Sequence, residues 1–168
     1  MLSGFPGYIW TSLPMFFSER QQVSRLNMRV SFWHTDLNIH LTNSRYQYLM
    51  DKGRLHLLAV SGLLSTCFKE KILPMTVGVD IQYRRELKLW QSFTLDTRIT
   101  RVRDRVLEME QTFLVGKRVH ARALVKSLVL KDRKPVDASL FEQLVVPPLQ
   151  LEGWHVVEAP ALPASASE

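Results

Sequence analysis

Two periods of hydrophobicity divide the chain. From Ser44 to about Ser65 the residues favour a helix and are apolar almost all round, with Tyr46, Tyr48, Leu49, Met50, Leu55, Leu57, Leu58, Val60, Leu63 and Leu64. The one clear polar stripe is Gln47, Asp51 and Arg54, at i, i+4 and i+7, and so narrow a wet face predicts a buried helix. At about 22 residues and 1.5 Å per residue it spans roughly 33 Å. After Pro74 the period becomes two. Val77, Val79, Ile81 and Tyr83 alternate with polar or small residues, then Phe93, Leu95, Thr97 and Ile99, then Leu107, Met109, Gln111, Phe113 and Val115. A fourth run, Val119 to Leu130, is closed by Lys131 to Pro135. Arg103-Asp104-Arg105 and Gly116-Lys117-Arg118 are compact enough for hairpin turns. Upstream, Arg29 to Trp33 is rich in β-formers and predicts a short strand.

One strand, a buried helix and four antiparallel strands in succession predict an α+β fold in which one curved sheet wraps the long helix. Such a sheet has exposed edges, so a dimer joined strand to strand is expected. Residues 1–27 form an apolar arm, 28–146 the domain, and 147–168 a Pro/Ala-rich tail that Trp154 and Val156–Val157 can tack onto the body. The arm is interrupted by Gly4, Pro6, Gly7 and Pro14, lacks an early positive charge, and falls short of the ~20 residues of a membrane helix. It reads as a segment packing on the domain or on a partner subunit, with a peripheral membrane anchor as the alternative and no transmembrane segment.

Composition narrows the partners. The 168 residues are 46% hydrophobic and 23% charged, an ordinary globular balance. The net charge of +6 suits an acidic membrane, a phosphorylated cofactor or nucleic acid. No RNA-binding aromatic signature, zinc spacing or long basic run accompanies it, which disfavours nucleic acid. The single cysteine, Cys67, allows no intrachain disulfide and points to a reducing, cytoplasmic setting. Set among Leu63, Leu64 and Phe68, it reads as a buried thiol and not a nucleophile.

The chemistry-bearing residues crowd between strand and helix: His34-Thr35-Asp36-Leu37-Asn38-Ile39-His40-Leu41-Thr42-Asn43. Thr42 or Asn43 suits the helix N-cap. A helix start offers unpaired N–H groups and a positive dipole end, and these can stabilise the oxyanion formed when a thioester carbonyl is attacked. A nearby carboxylate can attack that carbonyl or deprotonate water. Asp, Asn and Thr in this position are also ordinary caps, and His40 can equally serve as a loop hydrogen-bonding group. Asp36 and His40 supply only two metal ligands, and His34, His56, His120 and His155 add no zinc-like spacing. Arg84, Arg85 and Lys88 can meet phosphates or simply end a strand.

Asp36 to Tyr46 resembles the Asp-x-x-x-His-(Val/Met)-Asn-Asn-(Ala/Ser)-x-Tyr segment of the 4-hydroxybenzoyl-CoA thioesterase-like hotdog superfamily. It is especially similar to the thioesterase-superfamily-member-six-like branch. The likeness continues through Met50-Asp51-Lys52-Gly53-Arg54, Ile81 to Leu87, and Val146-Pro147-Pro148 followed by Trp154, covering roughly residues 28 to 155. The resemblance implies a hotdog fold, a five-stranded antiparallel sheet around a long central helix. It implies a homodimer or dimer of dimers acting on acyl-CoA or acyl carrier protein thioesters, with no metal or redox cofactor. By the same resemblance Asp36 falls on the catalytic carboxylate, and the Asn43 N–H lies near the oxyanion donor. His40 and the Asn43 side chain match positions that shape the loop. Read from the residues themselves, the apolar helix face near Tyr46, Leu49 and Met50 can border the acyl group, with core packing as the default for all three, and Arg84 and Arg85 can meet the CoA phosphates. Two positions depart from the pattern: Thr42 replaces the usual first Asn, and Ile39 stands where many relatives have Gly. A hotdog enoyl-CoA hydratase and a non-catalytic acyl-thioester binding protein are the alternatives.

Overall fold

The computed structural model describes residues 20–35 and 39–150. Strand β1 (Val23–Arg29) leads through a single 3-10 turn (Phe32–His34) to helix α1 (Asn43–Val60) and a short helix α2 (Leu64–Lys69). Strands β2 (Ile72–Tyr83), β3 (Ser92–Arg103), β4 (Val106–Val115), β5 (Arg118–Lys131) and the two-residue β6 (Lys134–Pro135) follow. The sheet order is β1-β3-β4-β5-β2, with β6 beside β5, and every strand pairing is antiparallel. This is the hotdog arrangement, a curled sheet whose one face holds α1.

The two-residue period sets which face is which. Leu95, Thr97 and Ile99 of β3, Met109, Gln111 and Phe113 of β4, and Ala121, Ala123 and Val125 of β5 are all at most 4% exposed. Alternation sends these positions to the helix side. Small alanines on β5 leave room for Tyr46 and Phe113, whose rings meet edge to face at 4.8 Å. Both expected hairpins form, and a third, not expected, follows β5. Asp104 (φ 46°) turns β3 into β4, Gly116 (φ 58°) turns β4 into β5, and Asp132 and Arg133 (φ 48° and 67°) make the two-residue turn into β6.

Three expectations change. The first strand lies at Val23–Arg29, upstream of Arg29–Trp33 and of residue 28, where the domain was drawn to begin. Its seven residues pair along Ser92–Arg98, whereas Phe32 to His34 coil tightly, the His34 imidazole accepting from the Ser31 N–H at 3.3 Å. The long helix ends at Val60, because Gly62 takes a left-handed conformation (φ 76°) before α2 carries the buried Cys67 onward. The helix is also wet on more of its circumference than its composition suggests. Tyr46, Leu49, Met50, Gly53, Leu57 and Val60 are buried, while Tyr48 and Leu55 are 44% and 55% exposed. A single sheet curls over one side of a helix and leaves the other side open.

On the far side of the sheet the alternation places charges, and they are buried. Asp96 accepts from Arg98 at 2.6 Å and Glu110 from Arg122, with Arg25 of β1 reaching Asp96 at 3.2 Å. Residues 145–150 cross over this cluster: the Val146 N–H donates to Ile99 O, Arg98 to Pro147 O, and the Leu149 N–H to Glu110. The start of the expected tail is thus tied to the sheet through Leu149. Trp154 and Val156–Val157, like most of the N-terminal arm, lie outside the described residues.

Candidate active site at the start of the central helix

The loop before α1 is clamped from both sides by backbone pairing. Thr35 bridges Leu41, and the Thr42 N–H donates to His34 O at 3.1 Å. His40 bridges Lys88, and the Leu41 N–H donates to Leu87 O at 2.8 Å. Leu41 and Leu87 are 2% and 0% exposed, so two apolar side chains pin the otherwise polar loop to the core. Between these clamps lie Asp36, Leu37 and Asn38, which fall outside the described residues. The residue expected to carry the chemistry is therefore located only by its flanks, Thr35 and Ile39.

Thr42 occupies the N-cap position of α1 with extended backbone, yet its hydroxyl makes no capping bond and lies 3.3 Å from the Ser44 hydroxyl. The Thr42 carbonyl takes the N–H groups of Arg45 and Tyr46. The first N–H groups of a helix have no acceptor within it, and here no cap side chain consumes one. The exposed Asn43 is the first helical residue, so its N–H stands at the positive end of an 18-residue dipole.

Five of the six site residues expected from the sequence line one pocket of about 280 Å³: His40, Asn43, Tyr46, Arg84 and Arg85, joined by Leu41, Tyr83 and Glu86. Arg84 and Arg85 are exposed, and both of their N–H groups donate to His120 O, at 2.9 and 3.0 Å. That shared acceptor turns the chain sharply out of β2 and sets both residues at the pocket mouth. Tyr46 is 2% exposed and forms the pocket floor, its ring 4.9 Å from Tyr83. Burial, with Tyr83 alongside, pushes its phenol up to about 12, so the group is a neutral donor at ordinary pH and no base. Arginines and a helix start give the pocket a positive field suited to an anion.

Ile39 departs from the family pattern for a reason visible in the backbone. Its φ is 61°, the left-handed region that glycine occupies freely and a β-branched residue rarely enters. The chain keeps the turn that a glycine would make and carries an exposed isoleucine through it.

A second cavity was not expected from the sequence. It encloses about 410 Å³ and is almost wholly apolar, bordered by Leu55 and Leu58 of α1, Leu73 and Met75 of β2, Met109 of β4, and Phe141. Asp51 and Arg54, ion-paired to each other, stand at its edge. Leu49 and Met50 are 2% and 1% exposed and pack in the core, the default reading for them, and do not border this cavity. The available apolar space begins at Leu55, about a turn and a half further along α1. Periodicity marks these leucines as apolar but cannot say that β2 stands off from the helix there.

Known proteins place this arrangement. Over 92 residues, 55% of the chain, it is 32% identical to Protein THEM6 of Xenopus laevis, and that stretch spans 44% of the relative's length. Its fold matches the crystal structure of a probable thioesterase from Bartonella henselae with TM-score 0.63 and 25% identity, covering 68% of this chain and 98% of the other. YbaW, a probable thioesterase from Escherichia coli, matches at TM-score 0.65 and 20% identity (69% and 90% covered), and a gentisyl-coenzyme A thioesterase at 0.66 and 22% (73% and 99% covered). Residues 30–150 match the model of the thioesterase-like superfamily, and the chain belongs to that family.

Proposed function

We propose that the protein hydrolyses an acyl thioester, acyl-CoA or acyl carrier protein, to free acid and thiol, with Asp36 as nucleophile or general base. The observation that carries this reading is the pocket at the start of α1, which gathers His40, Asn43, Tyr46, Arg84 and Arg85 beside the loop that holds Asp36. Water activated by the Asp36 carboxylate adds to the thioester carbonyl, and the oxyanion takes the Asn43 N–H. The C–S bond then breaks as the carbonyl re-forms, and the thiolate leaves to take up a proton. In the nucleophilic variant Asp36 itself adds, the thiolate leaves, and water opens the resulting anhydride. Arg84 and Arg85 fit the phosphates of the carrier. The apolar cavity fits the acyl chain: Asp51 and Leu55 lie 8 and 12 residues beyond Asn43, about 12 and 18 Å along the helix.

A dimer completes this reading. β2 is an edge strand, and its Leu73, Met75 and Val77 are 62%, 46% and 41% exposed on alternate positions. An apolar edge of this kind invites a second copy to pair with it, which would also cover the open side of the apolar cavity. The other edge, β1, carries exposed Arg25 and Asn27 and is blunted. A lone buried thiol, held above its usual value by burial, agrees with a reducing cytoplasm.

Thiol release from acyl-CoAs of graded length tests the proposal. Asp36→Asn lowers the rate by roughly 10²–10⁴-fold, the worth of an acid/base group. Unchanged release in a folded Asp36→Asn protein refutes the mechanism. Hydration of an enoyl-CoA without thiol release points to a hydratase, and saturable binding without turnover to a binding protein.

A further inference from the structure

The pole of the molecule at which α1 begins is unlike the rest of the surface. Phe32, Trp33, Ile39 and Trp90 are 64%, 79%, 59% and 55% exposed. They belong to one place. The Trp90 N–H donates to Val30 O, two residues before Phe32, and the Leu89 N–H donates to Ile39 O. Phe32 and Trp33 stack edge to face at 6.1 Å. Two of these side chains are also held at a conformational cost. Ile39 and Trp90 both sit at positive φ, 61° and 65°, where glycine or asparagine is at ease. An exposed apolar side chain in a left-handed turn stabilises neither the turn nor the core, which directs attention to what lies outside the chain.

Cations gather at the same pole, where Lys88 also pairs with Glu86 at 3.2 Å. Arg29, Arg45, Arg84, Arg85, Lys88 and Arg118 end or begin the elements that meet there, and the acid among the described residues at that pole is Glu86. Arg29 lies over the Trp90 ring at 5.6 Å and Arg45 over Tyr48 at 6.0 Å, so cations interleave the aromatic rings. At the opposite pole Lys131 pairs with Glu70, Lys71 with Asp132, and Arg101 with Glu108, and Lys69, Arg103, Arg105, Arg133 and Lys134 lie there as well, so it is the interleaving of cations with exposed indole rings that distinguishes the pole where α1 begins.

We propose that this pole docks on an anionic lipid surface, with Phe32, Trp33, Ile39 and Trp90 entering the headgroup region and Arg29, Arg45, Lys88 and Arg118 meeting lipid phosphates and carboxylates. Tryptophan and phenylalanine ringed by basic side chains fit the chemistry of a membrane interface, where indole rings are both apolar and wet and long cationic stems reach outward. Anionic lipid supplies the opposite charge over a broad plane. An acidic protein groove is disfavoured because the apolar residues project from separate turns instead of from one helix or strand. This docking does not depend on thioester hydrolysis. It sets the mouth of the pocket, through Arg84 and Arg85, toward the bilayer.

Flotation of the full chain with vesicles of phosphatidylcholine alone, and with a minority of phosphatidylserine, tests the proposal. Binding is expected to the anionic vesicles and to fall with added salt. The double variant Trp33→Ser, Trp90→Gly weakens it on the order of a hundredfold, and Arg45→Gln with Lys88→Gln removes the preference for phosphatidylserine. Trp33→Phe with Trp90→Phe keeps the binding while losing the part of the tryptophan emission that brominated lipid quenches, which separates docking from a loss of fold. The proposal is overturned if the parent ignores anionic vesicles or if the Trp33→Ser, Trp90→Gly protein binds them as tightly as the parent. It is equally overturned if that variant changes only the oligomeric state, which would make the pole a contact between copies.

Discussion

Gly53 sits where α1 crosses closest to the sheet, and Gly53→Ala measures how closely. A methyl group at Gly53 would stand 2.5 Å from Thr97 Oγ1, 2.9 Å from Gln111 Nε2 and 3.0 Å from Leu95 Cδ2. None of these atoms is free to retreat. Gln111 is fully buried, donates to Met50 O at 2.9 Å and to Thr97 Oγ1 at 3.0 Å, and accepts from Arg54 at 2.8 Å. Either α1 lifts from the sheet, an overpacking cost of about 1–3 kcal/mol, or Gln111 gives up buried hydrogen bonds at about 1–3 kcal/mol. Against this, alanine is the better helix former by about 1 kcal/mol. Where both penalties operate in part, the net loss is about 2 kcal/mol, and the melting temperature falls by roughly 4–8 °C for a chain of this size. Thermal melting by circular dichroism, with urea midpoints as a check, reads the change. The sign decides the matter: propensity alone raises the melting temperature, so an unchanged or higher value would refute the close crossing of helix and sheet. Because α1 carries the Asn43 N–H to the pocket, thioester turnover in Gly53→Ala is expected to drop further than stability alone explains.

Three other outcomes are expected. Ile39→Gly removes a left-handed isoleucine worth about 1–2 kcal/mol of strain and adds about 0.5–1 kcal/mol of unfolded-state entropy, so the melting temperature holds or rises by a few degrees. The same variant weakens vesicle binding, and a marked fall in melting temperature would contradict the strain reading. His56, its Nδ1 2.7 Å from the buried Ser24 hydroxyl, is held below its usual value by burial, and His34 likewise by burial and then by Arg45 and Lys52. Below about pH 6.5 the unfolded chain takes protons that the folded chain excludes, so stability falls as pH drops through that range. His56→Gln flattens the urea midpoint between about pH 7.5 and 5.5, and a midpoint that rises on acidification would reverse the sign. Met75→Lys on the β2 edge converts the proposed dimer to monomer by light scattering; a dimer that persists locates the interface elsewhere.

Much of the fold was legible because its signals are local. Leu95, Thr97 and Ile99 on β3, and Met109, Gln111 and Phe113 on β4, alternate in sequence and face α1 in the structure, since a strand can send a residue only to one face or the other. The hairpins at Asp104 and Gly116 were equally local. The helix was overextended because Leu63 and Leu64 prolong its apolar run, while the left-handed Gly62 that ends it carries only a weak mark in sequence. The first strand was displaced because Phe32 and Trp33 have strong β propensity, yet they coil into a 3-10 turn once Ser31 and His34 engage each other.

Residue order by itself determined the strand-helix-strand succession, the polar loop ahead of α1, and the helix start as the place where a carboxylate would find donors. Only the tertiary structure decided that residues 84 and 85, some forty positions beyond Asn43, turn back on His120 O to meet it in one pocket. It alone opened the apolar cavity between α1 and β2, laid residues 145–150 over the buried charges, and set two left-handed apolar residues side by side at a basic pole. The division has one cause. Period and turn chemistry are properties of neighbouring residues, whereas a pocket or a patch is an approach of distant segments, settled by strand register and by the direction in which a sheet curls.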